Sequence, residues 1–211
     1  MIRTTEKRPL PAAALLLSAL LLPALAARTM AAPRPEGSRL FASVSAGYFH
    51  PLSGDVRAIY DRPAWPLELQ LGWRVQPRLD LYAAARFLQL KGKTILGAAQ
   101  ESAESYSVRL HMLALRLGAG FCAGNGPISP YLGAGIQYGF FKEEWPAVPL
   151  ETNGGRAGVF AAAGVRLRLA RSLHLVTLMD YSFQPGGLGS RGKQVNLGGL
   201  SLTLGVRAGI L

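Results

Sequence analysis

From Trp65 to Val75 every second residue is large and apolar: Trp65, Leu67, Leu69, Leu71, Trp73 and Val75. Pro66, Glu68, Gln70, Gly72 and Arg74 fill the positions between. Side chains of a strand point alternately to its two faces, so this period of two predicts a β-strand with two unlike faces. Seven further segments alternate in the same way: Leu40–Phe49, Leu79–Phe87, Leu113–Phe121, Ile128–Phe141, Ala157–Leu169, Leu173–Phe183 and about Val195–Ile210. Ahead of Leu113 the stretch Val108–Met112 runs in the opposite phase, which predicts a bulge near Met112.

The connections alternate in length. Long ones fall at 50–64, 91–107, 142–155 and 184–194, and short ones at 76–78, 122–127 and 170–172. That rhythm fits an up-and-down barrel whose two termini lie on the short-turn side. An even strand number, short periplasmic turns and long external loops are the pattern of bacterial outer-membrane barrels.

A soluble barrel would hide its apolar face inside and clothe the outside in Lys and Glu. Here the other face is mostly Gly, Ala, Ser and Tyr with scattered charges, which suits the narrow interior of an eight-stranded barrel. The apolar face is therefore expected to meet lipid. Closure is demanded by the same solvent, because hydrocarbon offers no partners to an open sheet edge. The aromatics Tyr48, Phe87, Tyr138, Phe140, Tyr181, Phe183 and Trp65 fall at the outer ends of their strands, and Trp73 and Phe121 near the inner ends. Trp65 and Trp73 are eight residues apart, about 27 Å along a strand. Tilted by about 40°, that is roughly 20 Å of height, close to an apolar band between two aromatic girdles.

The chain opens with a basic segment, an apolar core from Ala12 to Leu22 and then PALAA. This is the order of a cleavable signal peptide, too short for a spanning helix, with cut sites at Ala26, Ala27 or Ala32. The expected organisation is a signal peptide over 1–27, a periplasmic linker over 28–38 and the barrel over 39–211. The net charge of +11 includes Arg3, Lys7 and Arg8 against Glu6 in the signal, so about +9 remains. Anionic lipid head groups, rather than nucleic acid, are the expected counter-charge for an exported chain. The single cysteine, Cys122, excludes an internal disulfide and reads as an inert thiol.

The stretch PYLGAG, Pro130 to Gly135, and GYFHP, Gly47 to Pro51, resemble strands of the small outer-membrane β-barrels of the OmpA-transmembrane and OmpX-like group. The resemblance covers about residues 39–211. It implies an eight-stranded antiparallel transmembrane barrel in the outer membrane, inserted by the barrel-assembly machinery, with no cofactor and as a monomer. That group ends on an aromatic residue in the lipid-facing phase, where this chain has Ile210 followed by Leu211.

Inward-facing charges are the candidate chemistry. Glu68, Arg74, Asp80, Arg86, Arg116, Arg166, Asp180 and Arg207 are expected to pair into a polar plug, since an unpaired buried charge is costly and the arginine fork suits bidentate pairing. Three other readings stay open: a narrow ion path, a lateral route for an apolar solute as in OmpW-like barrels, and a lipid A-modifying hydrolase. Against the last, His174, Asp180 and Ser182 share one face of one strand, but six residues span about 20 Å. A triad needs hydrogen-bond contact. His50 and His111 read as interfacial or solvated. Gly187 to Lys193 matches G-x-x-x-x-G-K, yet Gln194 and a strand follow where a phosphate loop needs Ser or Thr and a helix. It reads as a mobile external loop. Lys91, Lys93, Arg191 and Lys193, with Arg57 and Arg62, are candidate contacts for lipopolysaccharide phosphates.

Overall fold

The computed structural model describes residues 39–60, 62–95, 105–124, 126–147, 150–188 and 193–210. The expected signal segment and linker, with Arg191 and Leu211, lie outside these residues. Eight strands close a barrel: β1 (Leu40–Pro51), β2 (Leu67–Gln76), β3 (Leu79–Ile95), β4 (Ser105–Cys122), β5 (Ile128–Trp145), β6 (Leu150–Arg168), β7 (Leu173–Phe183) and β10 (Gly199–Gly209). Each pairs antiparallel with its neighbour in sequence, and β10 closes on β1 from Phe41 opposite Gly209 to Pro51 opposite Gly199. A short helix, α1 (Gly54–Ile59), follows β1, and a hairpin of β8 (Pro185–Leu188) and β9 (Lys193–Asn196) separates β7 from β10.

The expected alternation holds its phase around the wall. Leu69, Leu71, Leu117, Ile136, Leu202 and Leu204 are exposed on the outside, and Glu68, Arg116, Gln137, Ser201 and Thr203 are buried inside. Both termini of the barrel and the turns β2–β3, β4–β5 and β6–β7 lie at one end, here the turn end. The opposite, loop end carries α1 and the β8–β9 hairpin.

Four expectations need correction, and one cause links three of them. There is no bulge near Met112: β3 and β4 pair in unbroken register from Leu79 opposite Phe121 to Ile95 opposite Ser105. The third strand continues eight residues past Phe87, the fifth reaches Trp145, and the sixth begins at Leu150 rather than Ala157. Much of 91–107 and 142–155 is thus strand rather than loop. Beyond Phe87 and Phe140 the backbone keeps its register while the polarity of its two faces inverts. Val108, Leu110 and Met112 point inward and are buried, while Lys91, Arg109 and His111 point outward. A reading that follows apolar residues alone stops where they change sides. The fourth correction concerns Pro185–Leu188 and Lys193–Asn196, which pair with each other instead of lying in a free loop, leaving β10 to begin at Gly199.

The inverted region has its own core. Phe49, Val56, Tyr60, Leu88, Leu90, Val108, Leu110, Met112, Phe141 and Leu197 form one buried cluster at the loop end. α1 lies against the inner face of β3, and at Gly92 a side chain would collide with the Ile59 carbonyl. Tyr60, at the helix C-terminus, donates its phenol to Glu143 on β5 at 2.8 Å, both groups buried.

Candidate functional site in the barrel interior

The inward positions of the alternating strands form layers along the barrel axis. One is a closed ring of four charges. Arg86 (β3) donates Nε to Glu68 Oε2 (β2) at 2.7 Å and Nη1 to Asp180 Oδ1 (β7) at 2.5 Å, with a further contact to Ser201 at 3.2 Å. Arg116 (β4) donates Nη1 to the same Glu68 oxygen at 2.8 Å and Nη2 to Asp180 Oδ2 at 2.5 Å. Two guanidiniums alternate with two carboxylates, so the ring is neutral and each carboxylate bridges two arginines. All four side chains are over nine-tenths buried.

The remaining expected charges gather separately around Asp80. Its Oδ1 faces Arg74 Nε at 3.5 Å; its Oδ2 faces Arg207 Nη2 at 2.7 Å and Arg166 Nη1 at 3.7 Å. The eight residues expected to form one network therefore make two groups, one balanced and one rich in arginine. Between them lie Phe41, Tyr82 and Phe160, a buried aromatic cluster. The Arg116 guanidinium sits 3.8 Å above the Phe160 ring and that of Arg207 3.3 Å above Phe41, so each charged group stacks on the aromatic layer. Glycine makes room: a side chain at Gly120 would overlap the Tyr131 ring.

Toward the loop end, Gln137 donates to Gln184 Oε1 at 3.1 Å, and Gln184 donates to the Gly139 carbonyl at 3.2 Å. The Gln184 backbone N–H is held by Asn196 Oδ1 at 2.9 Å, which fixes the start of the β8–β9 hairpin at the lumen. The apolar cap of Leu90, Leu110 and Phe141 lies beyond. Sequence reasoning missed Gln184, Tyr60, Glu143 and the cap. The signal available for the cap was the inverted phase of Val108–Met112.

The nine expected girdle residues, Tyr48, Trp65, Trp73, Phe87, Phe121, Tyr138, Phe140, Tyr181 and Phe183, are all on the outside, from 36% exposed for Tyr181 to 73% for Trp65. Tyr48 meets Trp65 edge-on at 6.4 Å and Tyr138 meets Phe140 at 4.9 Å. Of the candidate phosphate contacts, Lys91 and Lys93 stand on the outer face of β3, opposite Arg109 and Ser107. Lys193 opens β9, but its side chain, like Arg191, lies outside the described residues. Beside this row, Lys142 contacts Glu144 at 2.9 Å and Glu151 at 3.1 Å. The Lys142 ammonium holds the Glu144 carboxyl below the usual carboxylate range, and its own proton is held more tightly in return.

The three residues weighed as a triad are engaged separately. Asp180 belongs to the charge ring, Ser182 donates to the Gly199 carbonyl at 3.4 Å, and His174 is paired in register with Arg207 and Arg168. Cys122 is buried and free. Among the described residues no group of three His, Cys, Asp or Glu side chains is placed to hold a metal.

An exposed belt of Leu, Val, Ile and aromatic side chains around a closed sheet, with arginine–carboxylate groups inside, is stable only where hydrocarbon surrounds the wall. No family model matches the sequence, and no curated protein matches it. Solved structures match over the barrel. Neisserial surface protein A superposes with a TM-score of 0.58 at 16% identity, covering 83% of this chain and 100% of that one. The outer-membrane protein OprG from Pseudomonas aeruginosa gives 0.58 at 10% identity, over 82% and 96%. The N-terminal barrel of Pseudomonas aeruginosa OprF gives 0.51 at 11% identity, over 82% and 98%. The fold is that of the small outer-membrane β-barrels. This chain is thus a membrane β-barrel, antiparallel and eight-stranded, as the alternation and the PYLGAG resemblance predicted.

Proposed function

We propose that this protein is a non-enzymatic, non-conducting barrel of the bacterial outer membrane that serves envelope structure and surface contact. One observation carries the reading: the interior is occupied at successive levels by the Asp80 group, the aromatic layer, the four-charge ring and the apolar cap. Each level is tied across the lumen by contacts between strands far apart in sequence. Planar-bilayer recording tests it. The expected result is a silent membrane, and discrete, reproducible conductance steps would overturn it. Lipid A taken from cells with and without the protein should give identical mass spectra, because none of His174, Asp180 and Ser182 is placed to act on another.

The turn end, with both termini, faces the periplasm on this reading, and the strand extensions face outward. Export requires that 1–27 act as a signal, so N-terminal sequencing of the mature protein should begin after Ala26, Ala27 or Ala32. The outer row of Lys91, Lys93 and Arg109 supports contact with lipopolysaccharide. Lys91 lies directly opposite Arg109, and like charges so placed repel, with Glu144 facing Arg109 from β5 as partial compensation. An anion resting on both relieves that repulsion. Lys91 is four residues beyond Phe87, about 13 Å along the strand and roughly 10 Å above the aromatic girdle at a tilt near 40°, the height of a headgroup phosphate. Replacing Lys91, Lys93 and Arg109 with Gln should reduce lipopolysaccharide co-purification; equal recovery would remove this contact from the proposal.

A further inference from the structure

We propose that the turn-end mouth of the lumen is a binding site for a phosphate-class oxyanion, held by Arg74, Arg166 and Arg207. The two charged groups of the interior differ in their balance. In the ring, two carboxylates meet two guanidiniums. At the mouth, among the described residues, three guanidiniums converge on one carboxylate, that of Asp80. Arg207 Nη2 reaches Asp80 Oδ2 at 2.7 Å, whereas Arg166 Nη1 stays 3.7 Å from the same oxygen and has no hydrogen-bond acceptor among the described residues. The side chains of Arg166 and Arg207 are 7% and 5% exposed, so water does not satisfy them fully.

A net buried charge of this kind is costly without a counter-ion. Arg74 is the most open of the three, with 21% of its side chain exposed, and it gives the site a route to solvent at the turn end. Guanidiniums present N–H pairs that match the oxygens of phosphate, with bonds stronger than those between neutral groups. The Phe41 ring stacked on Arg207 limits the site to a small ligand. On the placement proposed above the site opens to the periplasm, and the anion comes either from free phosphate or from a phospholipid headgroup of the inner leaflet.

The test is thermal unfolding of the refolded full barrel, titrated with inorganic phosphate against chloride at constant ionic strength. One arm uses a sugar-headed detergent that carries no phosphate, the other phosphatidylethanolamine–phosphatidylglycerol nanodiscs. A midpoint that rises with phosphate beyond chloride in both arms identifies free phosphate as the ligand. A rise in detergent alone identifies the headgroup, already seated in the nanodisc. No phosphate-specific rise in either arm overturns the proposal. Arg74→Gln, the mildest change because this side chain already meets water, should weaken the apparent phosphate affinity several-fold. The Arg166→Gln/Arg207→Gln pair should abolish the shift, and an unchanged shift in that pair would also overturn the site. Asp80→Asn separates binding from a structural role, since it removes the competing anion: phosphate should bind several-fold more tightly even though the unliganded barrel is less stable. These readings are made in vitro and hold or fail whatever the protein does in the envelope.

Discussion

Between the aromatic girdles, the wall of this barrel is apolar outside and ionic inside. Past Phe87 and Phe140 the same strands are polar outside and apolar inside. β4 passes through both regimes without a break in pairing, carrying Arg116 inward at one level and Leu110 inward at the next. The backbone is indifferent to the change; the surroundings are not. Where hydrocarbon bathes the wall, apolar side chains gain little by turning in, and the interior is filled by groups whose hydrogen bonds lipid could not satisfy. Where water bathes it, the hydrophobic effect again draws apolar groups inside. On the placement proposed above, the inversion marks where the bilayer ends, and the two halves are held together by different forces.

The sharpest way to break this comparison is to remove one carboxylate from the ring. Asp180→Ala leaves Arg86 and Arg116 facing each other with only Glu68 between them. Truncating one partner of a buried charge group costs about 3–5 kcal/mol. The urea midpoint of the folded barrel, followed by tryptophan fluorescence in micelles, should fall accordingly. A change under 1 kcal/mol would mean that the ring contributes little to the lipid-level half.

Next in size is the cap. Leu110 is fully buried, and Leu110→Ala should cost about 2–5 kcal/mol of local stability. Here the readout differs. Proteolysis and amide exchange should rise around α1 and the upper parts of β3, β4 and β5, while the barrel still migrates as folded on gels. Equal loss at both levels would show that cap and ring unfold as one unit.

The outer surface gives a paired test. Leu117 is 60% exposed on the lipid-level wall, whereas His111 is on the same strand beyond the girdle, in contact with Gln89 and 3.9 Å from Glu144. Arginine near the bilayer midplane costs about 2–4 kcal/mol and near the interface about 0–1. Leu117→Arg should therefore destabilise the barrel strongly, and His111→Arg hardly at all. Similar penalties at both positions would put lipid around β4 along its whole length.

The same contrast explains what the sequence could disclose. Period-two alternation is a local property of one strand, so the outward Trp65, Ile136 and Leu204 and the inward Glu68 and Arg116 can be read residue by residue. So can strand number and the short turns. Which charges meet is a property of closure and stagger. Asp180 reaches Arg86 and Arg116 across the lumen from positions 94 and 64 residues away, and no local pattern encodes that. The split into a neutral ring and an arginine-rich mouth was hidden for the same reason. The upper strands were legible in principle, since Val108, Leu110 and Met112 alternate perfectly well. An outward-apolar rule loses them because the solvent around the strand changes, and a phase flip at constant register has the same local pattern as a bulge.

The smallest effect probes the seam between the halves. Tyr60 ties α1 to Glu143, and burial first, then the adjacent carboxylate, pushes its phenol well above the ordinary value of 10. A group whose proton is held more tightly in the folded state contributes fully while both states keep the proton, and loses that contribution once the unfolded state begins to release it. The cap should therefore be indifferent to pH below about 9 and should loosen progressively above about 10, as read by amide-exchange or proteolysis rates near α1. Tyr60→Phe removes the titrating group and one buried hydrogen bond, at a cost of about 1 kcal/mol. Its cap should be looser than the parent at neutral pH yet lose the alkaline response. If the variant still loosens above pH 10 by the same factor, the response belongs to another group, and the Tyr60 contact is not what fastens the water-facing half to the wall below it.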